Sequence, residues 1–351
     1  MKIAITCVYL PSGSKIGVGY QVHALANALV RRGHDVTVFS QTGPSDDSLY
    51  EVSVVRPRRR LRTFGFAWDL RKIDFNSFDV LNAHGDDWFL WGCRRPRHVH
   101  TFHGSCFAEM LHIKGITQRL RMGALAVCEY NSLMLPDETV AVSENTRRYI
   151  PFIGHVIPCG VDTGAFHPGE KSPRPAILFV GTMHGRKRGG MLLDVFRNTI
   201  RPKIPAAELW CVCDRPAGES DDANVKWLGR INQDALTDLY RRAWVFCLPS
   251  TYEGFGVPYI EAMASGTAVV ATRNVGALEV TAHGNFGVIC ADDRLGDELL
   301  TLLNDSTRRS QLEQLGLQHS ADFSWESVTK RYEELYAGNA PVARITQGAA
   351  P

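Results

Sequence analysis

Residues 244–272 read WVFCLPSTYEGFGVPYIEAMASGTAVVAT. The ends of this segment, WVFCLPS and TAVVAT, are short apolar runs of the kind that form buried strands. The middle is neither one helix nor one strand. Gly254 and Gly256 let the backbone turn sharply and bring N–H groups around Phe255 close to a ligand. Pro258 suits the first position of a new helix, and Ala262, Ala264 and Gly266 permit that helix to pack closely. Glu253 then follows a strand directly, at its carboxyl end, while Glu261 falls in the first turn or so of the helix. Two carboxylates so placed converge on one ligand from two sides. Because they only accept hydrogen bonds, they suit a ligand rich in hydroxyls, such as a sugar. An acidic loop and a helix-start glutamate favoured by the dipole would leave the same letters.

The alternation seen here runs through the chain. KIAITCVYL reads as a buried strand, and VGYQVHALANALVRRG as a helix with Val18, Val22, Leu25 and Leu29 on one face and Gly33 as its stop. DVTVFS, DVLNAH (79–84), HVHTF (98–102) and TVAVS (139–143) continue the strand series. The stretch 156–175, VIPCGVDTGAFHPGEKSPRP, holds four prolines and three glycines and reads as a linker. A second series follows: AILFVG, a helix from about Gly190, AELWCVC, a helix around DALTDLYRRA, WVFCLPS, TAVVAT, FGVIC, then two or three helices to about Tyr336. Two parallel sheets, each covered by helices, are expected, with ligands at the carboxyl ends of the strands.

At 351 residues the chain exceeds what one core usually serves. Its net charge of +2, with 22% charged and 44% hydrophobic residues, is that of an ordinary globular protein. No apolar run reaches the length of a spanning helix, and the N-terminal run stops at Pro11 without a small-residue cleavage site. Nine cysteines without a second close pair read as scattered reduced thiols. A cytoplasmic location is expected.

The segment from Glu253 to Glu261, with GFG between and EAMASGTAVVAT after, resembles the E-x7-E signature of the retaining glycosyltransferases of family 4, which have the GT-B fold. VIPCGVDTGAFHP resembles the family's inter-domain segment and LFVGTMHGRKRGGMLLDVF its phosphate-binding strand, loop and helix. AVSENTRR, WLGRINQDALTDLY, VGALEV and FSWESVTKRYEELY fall in family order. The resemblance spans nearly the whole chain, most strongly from Thr139 to Tyr336. It implies two Rossmann-like parallel-sheet domains facing across a cleft: an acceptor domain over 1–160 completed by a helix at 325–338, a nucleotide-sugar donor domain over 161–324, and a flexible tail over 339–351.

The same resemblance implies roles. Glu261 binds the ribose hydroxyls, and Glu253 with the Phe255 and Gly256 N–H groups holds the sugar's 3- and 4-hydroxyls. Lys187 and an arginine neutralise the charge growing on the pyrophosphate. The family arginine often follows the strand glycine, where Thr182 stands here, so Arg186 takes the role with Arg188 as its rival. Base contacts come from the neighbourhoods of Cys213 and Gly229–Ile231, which places Arg230 at the donor. On the N-terminal side GSKIGVGY is a glycine-rich turn whose Gly17 and Gly19 face the phosphates, and His103 in TFHGS matches the cleft histidine. The implied reaction moves a hexose-type sugar from a nucleotide diphosphate sugar to an acceptor hydroxyl by a front-face retaining mechanism. No metal and no other cofactor is expected, because Asp86–Asp87 and Asp221–Asp222 are adjacent pairs in predicted loops rather than an Asp-x-Asp pair.

The acceptor, whether glycan, lipid-linked or small, is not legible. RPRRRLRTFGFAWDLRK (56–72) carries seven basic residues against one acidic, interleaved with Phe64, Phe66 and Trp68. It suits peripheral contact with anionic lipid at the inner membrane face, or a solvated loop. A single basic run in a near-neutral chain does not suit nucleic acid. Rival readings are an epimerase or phosphorylase on the same fold, and a non-catalytic subunit of a glycosyltransferase. The last is expected to lack Lys187, Glu253 or Glu261, and all three are present. With Lys187, Glu253 and Glu261 after the linker and Gly17, Gly19 and His103 before it, closure of a hinge near Pro158–Pro175 is expected to assemble the site.

Overall fold

Strand β1 (Lys2–Thr6) buries Ile3 and Ile5 in one apolar cluster and Ala4 in another, as a strand covered on both faces must. It belongs to a computed structural model that describes residues 1–11, 17–56, 62–112 and 115–339. The chain divides into two compact units, one built from Met1–Gly160 with the stretch from Trp325, the other from Val161–Ser324.

In the first unit β1 is joined by β2 (Asp35–Ser40), β3 (Glu51–Val54), β4 (Val80–Ala83), β5 (Arg97–Phe102), β6 (Glu138–Ala141) and β7 (His155–Val156). The order is β3-β2-β1-β4-β5-β6-β7 and each pairing is parallel. Helix α1 (Gly17–Arg31) lays Val22, Leu25 and Leu29 on the sheet, each close to fully buried; burying each side chain contributes about 1.5–3 kcal/mol. Gly33, at φ +86°, ends this helix in the left-handed cap that glycine allows. Helices α2 (Arg62–Asp69), α3 (Cys106–His112), α4 (Ile116–Ser132) and α5 (Glu144–Tyr149) complete the N-terminal part.

In the second unit β8 (Ala176–Val180), β9 (Glu208–Val212), β10 (Val225–Trp227), β11 (Val245–Leu248), β12 (Ala268–Thr272) and β13 (Val288–Cys290) form a parallel sheet in the order β10-β9-β8-β11-β12-β13. Its helices are α6 (Gly189–Val195), α7 (Gln233–Arg242), α8 (Val257–Ala264), α9 (Val275–Val280), α10 (Leu295–Asn304) and α11 (Ser306–Ser320). In both sheets the order reverses direction beside the first strand, the switch point at which doubly wound sheets bind ligands.

The last described helix, α12 (Trp325–Tyr336), belongs to the first unit. Val328, Tyr332, Leu335 and Tyr336 enter the same cluster as Ile3 and Leu25. Tyr336 accepts a 2.6 Å hydrogen bond from Asn82 of β4, and Glu333 takes Arg32 and His34 at 2.7 and 2.8 Å. The Trp325 indole lies on Gly160, where a Cβ would stand 2.5 Å from the ring. Gln21 of α1 holds the same glycine by its N–H (2.9 Å) and its carbonyl (3.2 Å).

Three expectations change. Strands β3 and β10 carry no sequence signal: EVSV is largely exposed and VKW is three residues long. Pro258 is second rather than first in α8, which begins at Val257. The 56–72 segment does not present its aromatic residues to solvent together. Phe66 is fully buried, Phe64 packs edge-on to Trp88, and Trp68 remains half exposed under the Arg71 guanidinium. Residues 57–61 of that segment, residues 12–16 of the glycine-rich turn, and the tail from 340 lie outside the described residues. None of the nine cysteines is in a disulfide, and among the described residues no helix is long and apolar enough to cross a membrane.

Candidate active site

At the carboxyl ends of β8 and β11 two loops are tied together by the Thr251 N–H, which donates to the Arg186 carbonyl at 2.9 Å. The first runs from Gly181 to Arg188. A Cβ on Gly181 would stand 2.9 Å from the Phe179 ring and 3.2 Å from the Lys187 Cβ, so the glycine lets Lys187 cross close over the loop. The second carries Glu253. One carboxylate oxygen of Glu253 takes the Lys187 ammonium at 2.8 Å and the Ser250 hydroxyl at 2.6 Å; the other takes Arg186 at 2.9 Å. Burial alone would push this carboxyl up, but Lys187 and Arg186 outweigh it and hold Glu253 below its usual range. Lys187 is pushed down by burial, with Glu253 opposing the shift.

Arg186 and Arg188, rivals in the sequence, face different partners. Arg186 is half exposed and turned to Glu253 and the Tyr252 carbonyl. Arg188, left-handed at φ +51°, forks onto Asp292 at 2.5 and 2.8 Å and also donates to the Pro249 carbonyl and the Thr272 hydroxyl. It is spent on holding β11, β12 and the Asp292 turn together. Arg186 is the arginine that faces Glu253.

Gly256 caps α8 at φ +108°, where an added Cβ would meet the Tyr259 ring at 2.6 Å. Gly254 borders open space instead. Among the described residues the Phe255 and Gly256 N–H groups find no protein acceptor, and the Phe255 ring is buried against Phe323. Glu261 is half-buried on α8, near enough to add to the burial that pushes the Tyr240 hydroxyl up and to act on the Lys187 ammonium. Glu253, Glu261, Lys187 and Arg186 therefore share one neighbourhood. The Gly229 N–H donates to the Cys213 carbonyl, but Arg230 is exposed and pairs with neither glutamate among the described residues. The sequence did not single out Ser250, Asn274 or Gly276. Asn274 caps α9 and also donates to the Ser250 carbonyl and the Tyr259 hydroxyl. Gly276 leaves room for the Glu253 and Phe255 carbonyls, which a Cβ would approach to 2.7 and 2.5 Å.

In the first unit His103 follows β5 and meets His84, which follows β4, with Nε2 and Nδ1 2.7 Å apart. Desolvation, with His100 nearby, pushes His103 down to about 4, and His84 is also lowered, by burial first and by His103. Both rings are neutral at pH 7. The buried Nε2 of His84 has no partner, and a bare lone pair costs less there than a bare N–H. His84 then donates from Nδ1, His103 accepts at Nε2, and the His103 proton sits on Nδ1. The neighbouring Asp86 and Asp87 are in a loop, but a buried one: Asp87 lies between His98 and His100 at 2.9 and 2.8 Å. Among the described residues no group of three His, Cys, Asp or Glu side chains is arranged to hold a metal ion.

Gly17 and Gly19 are not in a turn but in the first turn of α1, which has no acidic residue of its own, at the helix end that attracts negative charge. The two differ. Gly17 is exposed with open space around its Cα, whereas a Cβ on Gly19 would strike the Tyr9 carbonyl at 2.4 Å. Gly19 is needed where α1 packs on the loop after β1, whatever it binds.

The family described as Glycosyltransferase Family 4 matches residues 16–165, and that described as Glycosyl transferases group 1 matches residues 174–305. The chain belongs to the group 1 and family 4 glycosyltransferases, with the GT-B fold. The D-inositol 3-phosphate glycosyltransferase of Corynebacterium diphtheriae is 26% identical, with 99% of this chain and 96% of the relative covered. Among solved structures, the sucrose-phosphate synthase of Thermosynechococcus elongatus superposes with a TM-score of 0.77 at 22% identity, over 96% of this chain and 98% of that one. HepE from Anabaena, solved with UDP-glucose, has a TM-score of 0.74 at 18% identity, over 96% and 100%. This glycosyltransferase thus carries its Glu253 cluster within the residues matched by the group 1 family and His103 within those matched by family 4.

Proposed function

We propose that this glycosyltransferase moves a hexose-type sugar from a nucleotide diphosphate sugar to an acceptor hydroxyl with retention and without a metal ion. The observation that carries the reading is Glu253, buried yet ionised between Lys187, Arg186 and Ser250 at a strand end. A donor's diphosphate would take the two cations, and its sugar hydroxyls would take Glu253 and the open N–H groups of Phe255 and Gly256. Glu261 would receive the ribose hydroxyls. As the bond from the anomeric carbon to the phosphate oxygen breaks, Lys187 and Arg186 would stabilise the charge left on the diphosphate. The acceptor oxygen would bond to the anomeric carbon on the leaving-group face, its proton passing to the departing phosphate oxygen. Neutral His103 would orient hydroxyls rather than carry a charge, and the α1 N-terminus at Gly17 would meet a phosphate.

Incubation with UDP-, GDP-, ADP- and TDP-hexoses in a thermal-shift panel identifies the donor, because binding to the folded state raises the midpoint. Inositol phosphate, after the name of the Corynebacterium relative, is the first acceptor to try. Product formation in excess EDTA, with the donor's anomeric configuration preserved by NMR, is expected. Loss of activity restored only by divalent metal, or an inverted product, would refute the mechanism.

A further inference from the structure

Helix α4 exposes an apolar stripe. Ile116, Leu120 and Val127 are 75%, 71% and 63% exposed, and spacings of four and seven put them on one helical face. Met134, seven residues further and just past the helix end, is 74% exposed. Phe152 is 89% exposed at φ +75°, a conformation that bulky side chains avoid. Eight of the sixteen exposed large apolar side chains among the described residues fall between 107 and 152, against two in the second unit. The stripe is therefore not the ordinary scatter of surface leucines.

Its charge is one-sided. Arg119 and Arg121 are exposed beside the stripe, while the acid of α4, Glu129, turns inward to accept the Cys106 N–H at 2.9 Å. The end of α5, joined to α4 by the Tyr130 hydroxyl on the Tyr149 carbonyl, adds Arg147 and Arg148. Arg147 is paired with Glu144 at 2.9 Å, so Arg119, Arg121 and Arg148 against Glu109 of α3 leave the face positive.

We propose that this face docks on an anionic bilayer, with the α4 stripe seated at the boundary between headgroups and acyl chains. Ile116 to Val127 spans about 17 Å of helix, long enough to lie along an interface and too short to cross one. The arginines would reach lipid phosphates while their stems lie along the apolar stripe. This face is distinct from the 56–72 segment, whose Phe66 is buried in the core. The inference rests on the surface, not on the reaction.

The test is co-sedimentation of the full chain with vesicles of phosphatidylcholine alone, and with phosphatidylglycerol as one lipid in three. The protein should sediment with the mixed vesicles at low salt, less at high salt, and not with phosphatidylcholine alone. Leu120→Ser/Val127→Ser should weaken binding by about tenfold or more, and Arg119→Ala/Arg121→Ala by several-fold per arginine. Ile116→Ser, at the most exposed apolar residue of the stripe, serves if the double variant does not keep the wild-type melting midpoint. Protein left in the supernatant with both vesicles, equal sedimentation with both, or variants that bind as wild type would overturn the proposal. So would a dimer in light scattering that the same substitutions dissolve while no vesicle binds.

Discussion

The Lys187 ammonium stands 2.8 Å from a Glu253 carboxylate that is only 5% exposed. Without a ligand, the carboxylate proposed to hold a sugar neutralises the cations proposed to hold a diphosphate. Each partner removes the cost of burying the other, so the cluster is ordered before any donor arrives. A diphosphate must compete with Glu253 for Lys187 and Arg186.

Glu253→Gln separates those two jobs. The amide keeps the shape and can still accept from Ser250, but it no longer answers the charge on Lys187. Folding stability should fall by about 2 kcal/mol, as a buried cation loses its partner. Nucleoside diphosphate without sugar should bind at least as tightly as to wild type, because a competing anion is gone, while turnover of the sugar donor drops by about 100-fold or more. Calorimetry with the diphosphate and steady-state rates check both halves. Weaker diphosphate binding would mean that Glu253 organises the phosphate site instead of competing with it.

Arg186 and Arg188 should fail in opposite ways. Arg186→Ala loses a half-exposed side chain, so the melting midpoint should barely move, within about 0.5 kcal/mol, while kcat/KM falls at least about tenfold. Arg188→Ala leaves Asp292, the Pro249 carbonyl and Thr272 without their donor and should cost about 2 kcal/mol of stability. Diphosphate binding should survive that change at temperatures where the protein remains folded. The reverse pattern would return the catalytic role to Arg188.

This contrast shows what the chain's letters carry. Strand, loop and helix signals were legible wherever an element is buried on one face or two, as in β1, α1 and β11, because burial leaves a periodic apolar pattern. Strand β3 left none, since an exposed edge strand has no core face to fill. Glu253, Glu261 and Lys187 were legible through spacing and family resemblance. Which arginine joins them was not, because RKR gives three neighbours and only the backbone decides: a left-handed Arg188 points its fork at Asp292. The partners that hold Glu253 in place, Ser250 and Gly276, are one residue type in a loop and one glycine in a short helix, neither of which signals a role alone.

The histidine pair makes a prediction about protons. His103 is held down to about 4 against an ordinary 6.5, and His84 is lowered too. A lowered base is neutral in the fold while the unfolded chain binds protons, so its stabilisation is complete above about 6.5 and lost as pH falls toward 4. Glu129, raised by burial to about 7, works in the opposite sense, stabilising at low pH and losing that contribution as pH rises through 7. The two partly cancel in a melting curve. Imidazole nitrogen NMR reads the pair directly: His103 should show a neutral ring protonated at Nδ1, unchanged from pH 8 to about 5.5. His84→Gln should alter that tautomer ratio. A His103 titration near 6.5 would show that the pair is neither desolvated nor locked.

The two glycines of α1 supply the last test. Gly19 lies against the backbone of β1's trailing loop, so Gly19→Ala must push Tyr9 or the helix aside and should cost about 1–3 kcal/mol of stability. A bulky residue there would disturb packing and report nothing about ligands. Gly17 lies at the helix start with no described atom within 4 Å of where a Cβ would sit. Gly17→Ala should leave the melting midpoint within about 0.5 kcal/mol, and Gly17→Trp should likewise fold while placing an indole beside the N–H groups of the first turn. If those groups meet a phosphate during turnover, Gly17→Trp should cut kcat/KM by about tenfold or more and Gly17→Ala by less. Wild-type rates in Gly17→Trp would remove the α1 N-terminus from the site and leave Gly19 a purely structural residue.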